Sequence, residues 1–157
     1  MGRGRVARFQ RHSVRLRRLP GAAGLSLRAW LALAETDVHL RTRGFARCLA
    51  AYTSEPATST QPRDVSARAQ RYVRAIERAA RLYPGTARCL HQSLVLYRWL
   101  HHEGVSTQLQ IGVVRGKAAD AFRAHAWVEL DGRILNDRAA AVRPFTPLTT
   151  TMDPLHA

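Results

Sequence analysis

"RCLHQSLVLYRWLHHEGVSTQLQIGVVRGKAADAFRAHAWVELDGRILND" occupies residues 88–137, about a third of the 157-residue chain. It opens with Cys89 ahead of an apolar run. It then passes through His125 in a strand-like segment with Trp127 and Val128, and ends on Asp137 beyond an Asp131-Gly132 turn. How the fold presents these three residues decides the chemistry.

The apolar run reads as a helix over residues 89–103. Leu90, Leu94, Val95, Leu96, Tyr97, Trp99 and Leu100 surround it nearly completely, which predicts a central, buried helix, with Gly104 as its C-terminal cap. Strand signals follow in "VSTQLQIGVV", "FRAHAWVEL" and "RILND". Upstream, Leu27, Trp30, Leu31, Ala34, Val38 and Phe45 recur at helical spacing over residues 26–52, and Gly44 is where that helix can break. Asp64 or Ser66 can cap a second helix with Val65, Ala69, Tyr72, Val73, Ile76 and Ala80 on one face, stopped by Pro84-Gly85. Between them, "TSEPATSTQPRD" is a Ser/Thr/Pro-rich connection expected to be mobile. From Arg138 onward, three prolines and no clear period predict a loosely packed tail. The fold class is α+β, helices first, with a small antiparallel sheet packed against the third helix.

The chain carries 25 basic and 11 acidic residues, a net charge of +14. Lys117 is the sole lysine, and seven arginines with no acid fall in residues 1–24. No nucleic-acid reading motif accompanies the charge, so nucleic acid is not an expected partner. Residues 1–24 read as a solvated, disordered arm or as an upstream start. Arg17-Arg18 ahead of "LPGAAGLSLRAWLALAE" has the look of an export signal, but Arg28 interrupts its apolar region and the pattern continues as an amphipathic helix. No stretch has the roughly 18–20 apolar residues of a membrane span. Two distant cysteines make no disulfide framework, and the expected setting is the reducing cytoplasm.

Cys89 stands at or just before the first turn of its helix, where unpaired backbone N–H groups and the helix dipole favour a thiolate and can serve an oxyanion. The turn in "VELDGRIL" admits two registers. A two-residue primed turn pairs Leu130 with Arg133 and sends Asp137 to the face opposite His125. A three-residue loop with a left-handed Gly132 pairs Glu129 with Arg133 and sets His125 against Asp137. The Glu129–Arg133 charge pair favours the three-residue loop, and that register is expected; a primed turn would count against a triad. In the favoured arrangement His125 takes the thiol proton and returns it to a leaving amine, while Asp137 orients the imidazole. Each residue also has a plainer reading: a small buried cysteine, a core or edge histidine, a turn aspartate.

Taken together, "CLHQSLVLYRWLHHEGVSTQLQIGV" and "FRAHAWVELDGRILND" resemble the transglutaminase-like cysteine proteases of lasso-peptide biosynthesis, the B-type proteins that remove the leader from a ribosomally made precursor. The resemblance is carried by a cysteine opening an apolar helix, a "GV" strand, an "AHAWVE" strand and a "G–x–x–x–N/D–D" pattern that ends here on Asn136-Asp137. It covers roughly residues 71–137. It implies a papain/transglutaminase-like core over residues 25–143, a basic tail before it, and an irregular tail over 144–157. It also implies Cys89 as nucleophile, His125 as general base and acid, and Asp137 as orienting acid, with no cofactor. The residues before Cys89 read as helices and linker without a leader-gripping module. The implied partners are therefore the precursor peptide, a separate leader-recognition protein and an ATP-dependent ring-closing enzyme. The same fold class admits amide ligation or acyl transfer, and an inert basic scaffold binding an acidic partner or nucleic acid is a further alternative.

Other polar residues draw less. His91 reads as a rim residue. His101-His102-Glu103 reads as a solvated helix end rather than a metal site, because adjacent side chains diverge. No fourth ligand accompanies Cys89, His125 and Asp137 toward zinc. Cys48, Trp99 and Trp127 are expected in the core, and Asn136 either contacts Asp137 or caps the strand end.

Overall fold

A computed structural model describes residues 21–54, 64–115 and 122–148. The expectations of a basic N-terminal arm and of a mobile linker concern residues that lie, for the most part, outside these ranges.

Helix α1 (Ala22–Thr53) is bent at Gly44, whose φ of 75° and ψ of 171° suit only a residue without a side chain. Thr36 and Tyr52 share a 2.8 Å hydrogen bond across the bend, and both are buried. The buried face differs from the expected one. Ala29, Ala32, Leu33 and Thr36 face the core, while Leu27, Leu31 and Val38 are exposed. Apolar residues lie on both sides of this helix, so periodicity alone does not choose between them. The alanine-rich side permits the closer approach to neighbouring helices.

Helix α2 (Val65–Leu82) begins where the Asp64 carboxylate accepts the Ala67 N–H at 2.9 Å, and it buries Ala69, Tyr72, Ala75, Ile76 and Ala79. Helix α3 (Cys89–His102) is the central element, with Ser93 through Tyr97 and Leu100 buried in succession. Its end is a Schellman motif: Gly104 N–H bonds to His101 O, Val105 N–H bonds to Leu100 O, and Gly104 has a φ of 73°. Burial of Val105 completes it.

Strands β1 (Gln108–Arg115), β2 (Phe122–Leu130), β3 (Arg133–Ile134) and β4 (Thr146–Leu148) form an antiparallel sheet in the order β3-β2-β1-β4. Leu109 and Val128, opposed across β1 and β2, join the helical core. Trp127 points to the other face and is also buried. Residues 139–148 are more ordered than the sequence suggests. They form a short helix α4 (Ala139–Val142), bury Val142, and return β4 along β1. Their prolines did not prevent this: Pro147 sits on an edge strand, the location that tolerates a missing N–H. No helix among the described residues is long and apolar enough to cross a membrane.

Candidate active site

Cys89 is the first residue of α3. Arg88 before it is extended (φ −73°, ψ 174°) and makes no side-chain cap. The chain enters through tight turns, Ala87 N–H to Gly85 O and Arg88 N–H to Thr86 O. Arg88 O then accepts the first helical bond from Gln92. The amides of the first turn therefore have no intrahelical partners. Cys89 is half-buried with a free thiol. Cys48, in contrast, is buried, and desolvation pushes its thiol pKa up.

The hairpin corrects the expected register. Leu130 pairs with Arg133 and Glu129 with Ile134 around a two-residue turn. Asp131 (φ 49°) and Gly132 (φ 74°) both adopt the left-handed region. This is the primed turn whose twist matches the strands, and Asp-Gly fills it well. The Glu129–Arg133 ion pair that favoured the alternative would have contributed roughly 0–1 kcal/mol at a surface turn, too little to set a register. Glu129 instead accepts the Trp127 indole N–H at 2.6 Å.

Continued regularly, this register would carry Asp137 to the far face. The ladder does not continue. Leu135 N–H still reaches Val128 O at 2.9 Å, but the Val128 N–H is taken at 2.8 Å by the Asn136 side-chain oxygen. The backbone turns away there, and Asp137 Oδ2 accepts a hydrogen bond from His125 Nε2 at 2.5 Å. Asp137 Oδ1 accepts the Arg138 N–H at 2.7 Å, so both oxygens are engaged. With Nε2 committed, Nδ1 is the nitrogen left for another partner. The departure from the ladder thus brings His125 and Asp137 together from a register that had seemed to forbid it.

Asn136 also donates from Nδ2 to Ser93 Oγ at 2.9 Å, and Ser93 Oγ donates to Ala126 O at 2.9 Å. β3 has ended by this point, and α3 comes up against the vacated edge of β2. Cys89 lies one turn before Ser93 on the same helical face, so the thiol-bearing end of α3 is led toward the strand of His125. Sequence reading passed over Ser93. The available signal was the single serine of the helix, four residues after Cys89 and at the start of its most apolar run.

On the other face of the sheet the His125 ring lies near Trp127 (centroids 6.0 Å, planes 24° apart) and Phe145 (5.1 Å, 34°). Gly112 pairs with His125 across the ladder. A Cβ there would stand 2.8 Å from both Phe145 Cβ and Trp127 Cη2, so glycine is required for this aromatic packing. The segment expected to be a loose tail thus supplies one wall around the imidazole.

Two other groups differ from their sequence readings. His91 turns toward α1 instead of forming a rim, its Nε2 lying 3.3 Å from Asp37 Oδ1. The end of α3 is not a wholly solvated face. His101 Nε2 meets Thr53 O at 3.2 Å, and Glu103 accepts from the Tyr72 hydroxyl and lies 3.6 Å from Arg68. Burial, reinforced by Glu103, pushes the Tyr72 phenol up to about 12. Among the described residues, no group of three His, Cys, Asp or Glu side chains is arranged to hold a metal ion.

Comparison with known families places this geometry in context. Residues 32–150 match the model of the transglutaminase-like superfamily. No curated protein and no solved structure matches the chain at a significant level.

Proposed function

The chain belongs to the transglutaminase-like superfamily, a fold commonly used for cysteine-protease and acyl-transfer chemistry, and we propose that it is a cysteine peptidase acting through Cys89, His125 and Asp137. The observation that carries this reading is the 2.5 Å bond from His125 Nε2 to Asp137 Oδ2. It holds the imidazole in the tautomer whose Nδ1 can accept a thiol proton.

In this reading His125 Nδ1 removes the Cys89 proton as Sγ attacks a peptide carbonyl. Negative charge developing on the carbonyl oxygen is met by first-turn amides of α3. Collapse of the tetrahedral species breaks the C–N bond, and His125 returns the proton to the departing amine. Water, deprotonated by the same imidazole, then hydrolyses the thioester and regenerates the thiol. Asp137 stabilises the imidazolium formed in both halves.

The substrate we propose is a ribosomally made lasso-peptide precursor, from which the leader is removed in the cytoplasm. A separate recognition protein would present it, and an ATP-dependent cyclase would use the freed amino terminus. Support comes from the motif resemblance over residues 71–137 together with the His125–Asp137 geometry. The test is mass spectrometry of such a precursor incubated with the protein and its recognition partner. A leader-sized loss that vanishes in Cys89→Ala is expected. Cleavage persisting in that variant would remove Cys89 as nucleophile, and transfer of the acyl group to an added amine in preference to water would redirect the reading to acyl transfer.

A further inference from the structure

The imidazole of His125 does not stand alone on its face of β2. Side chains alternate along a strand, so Arg123 leaves β2 on the same side as His125, about 7 Å further along. Its guanidinium carbon lies 5.8 Å from the centre of the Phe145 ring, and the His125 ring centre lies 5.1 Å from that same ring. One aromatic side chain therefore carries the imidazole and a permanent cation together. Gly112 and Val114, opposite His125 and Arg123 on β1, add no charge to this face.

The other segments of the site also bring arginine. Arg88 directly precedes Cys89, and Arg138 directly follows Asp137. Both are exposed, as is Arg123. Among the described residues none of the three has a carboxylate within ion-pair distance, whereas Arg41, Arg68 and Arg98 in the helical layer each have one. The carboxylates nearest in sequence are already engaged, Asp137 by His125 and the Arg138 N–H, and Glu129 by the Trp127 indole. Uncompensated positive charge at a reacting centre concentrates anions there. Arginines also line the exposed side of α2, Arg74 and Arg78 among them, but that helix packs on α1 and α3. Arg123 is distinguished from these by sharing a ring with the imidazole.

We propose that Arg123, held over Phe145 and flanked by Arg88 and Arg138, binds a substrate carboxylate, which makes the substrate class a peptide with an aspartate or glutamate near the scissile bond. This rests on the peptidase reading above and adds to it what the site selects. The span from His125 to Arg123, plus the reach of the two side chains, limits that acid to about four residues from the cut, at about 3.3–3.6 Å per residue. Arginine suits the task because its planar guanidinium can bond a carboxylate through two N–H groups while one face rests on the ring. Glutamine in place of the substrate's glutamate loses that pairing at nearly constant size.

The test uses the full chain and a series of iodoacetyl-glutamate amides, with zero to three glycines between the two ends, each compared with its glutamine counterpart. Sγ displaces iodide and forms a thioether, so no natural substrate is needed. The readout is the Glu/Gln ratio of Cys89 alkylation rates, followed by mass spectrometry and divided by the same ratio for 2-mercaptoethanol. The quotient cancels differences in thiol reactivity between variants. In the wild type at low salt it is expected to reach about 3- to 5-fold at one or two tether lengths. It should fall towards unity in about 0.5 M salt. Arg123→Gln should bring it to unity, while Arg78→Gln, an equal loss of charge on α2, should keep the wild-type value. A quotient of unity at every tether length, a value unchanged by Arg123→Gln, or an equal fall in Arg78→Gln would each overturn the proposal, the last by assigning the preference to net charge. Failure of the peptidase reading has a different signature: alkylation of Cys89 by iodoacetamide indifferent to His125→Ala, whatever the quotient.

Discussion

Ser93 and Asn136 meet through one hydrogen bond, Nδ2 to Oγ at 2.9 Å, and through it the helix that begins with Cys89 is fastened to the bend that delivers Asp137. Each partner holds β2 as well, Ser93 at Ala126 O and Asn136 at Val128 N–H. Ser93→Ala would leave the Ala126 carbonyl and the Asn136 amide without this partner, and Asn136→Ala would orphan the Val128 N–H. Each should cost about 1–3 kcal/mol in urea unfolding. Asn136→Ala should in addition slow Cys89 alkylation at neutral pH, because the bend no longer holds Asp137 on His125. Equal alkylation rates in wild type and Asn136→Ala would confine the residue to a structural role.

Asp137 and its carboxamide counterpart differ in what they ask of the imidazole. The side-chain amide introduced by Asp137→Asn can offer an N–H to Nε2, turning His125 to the tautomer protonated on Nδ1 and unable to accept the thiol proton. If the chain is the proposed peptidase, its turnover should fall by about 10²- to 10⁴-fold with little change in unfolding midpoint. A variant retaining full turnover would show that Asp137 does not set the tautomer.

Gly112→Ala tests the aromatic wall. The added methyl would lie 2.8 Å from Phe145 Cβ and from Trp127 Cη2, and the first of these atoms cannot swing aside as a side-chain tip can. Overpacking of this kind costs about 1–3 kcal/mol. Denaturant unfolding should register that loss, and a variant as stable as wild type would mean that Phe145 is displaced at no expense.

Asp37 supplies a pH dependence. Burial acts to raise its carboxyl, but hydrogen bonds from Arg41, Tyr83 and His91 and the Arg41 charge outweigh it, leaving the pKa below the ordinary 3.8. A carboxylate depressed in the folded state contributes stability above its unfolded pKa and loses it as pH falls through the folded one. Asp37→Asn should therefore be less stable than wild type at pH 7, with the gap closing as the pH drops below about 4. A gap that stayed constant through that range would assign the effect to packing.

The central helix was legible because Cys89 through Glu103 carries an apolar surface that only burial can satisfy, followed by a glycine suited to a left-handed cap. The Asp64 cap and the break at Gly44 were legible for equally local reasons. The β2–β3 register was not. A weak surface ion pair was weighed against turn geometry, and the consequence drawn for Asp137 assumed a ladder that in fact stops at Ile134. A side chain substituting for a backbone acceptor, as Asn136 does, leaves no periodic trace in sequence. The same holds for Ser93, whose role exists only once α3 meets the edge of β2. The buried side of α1 was misjudged because leucines on one face competed with alanines on the other, and close helix approach favoured the smaller residues.

The two connections that build the site differ in how far they reach along the chain. His125 and Asp137 are 12 residues apart, whereas the Ser93–Ala126 bond spans 33. For a flexible chain the longer closure costs about 0.9 kcal/mol more in entropy, and α3 must also dock before it can form. The imidazole–carboxylate pair is accordingly a local assembly of one hairpin, and in the proposed triad the cysteine would join it only through long-range consolidation. On that reading a nascent or partly unfolded chain can carry the His125–Asp137 pair without a thiol aligned to it, and reactivity would be tied to completion of the fold.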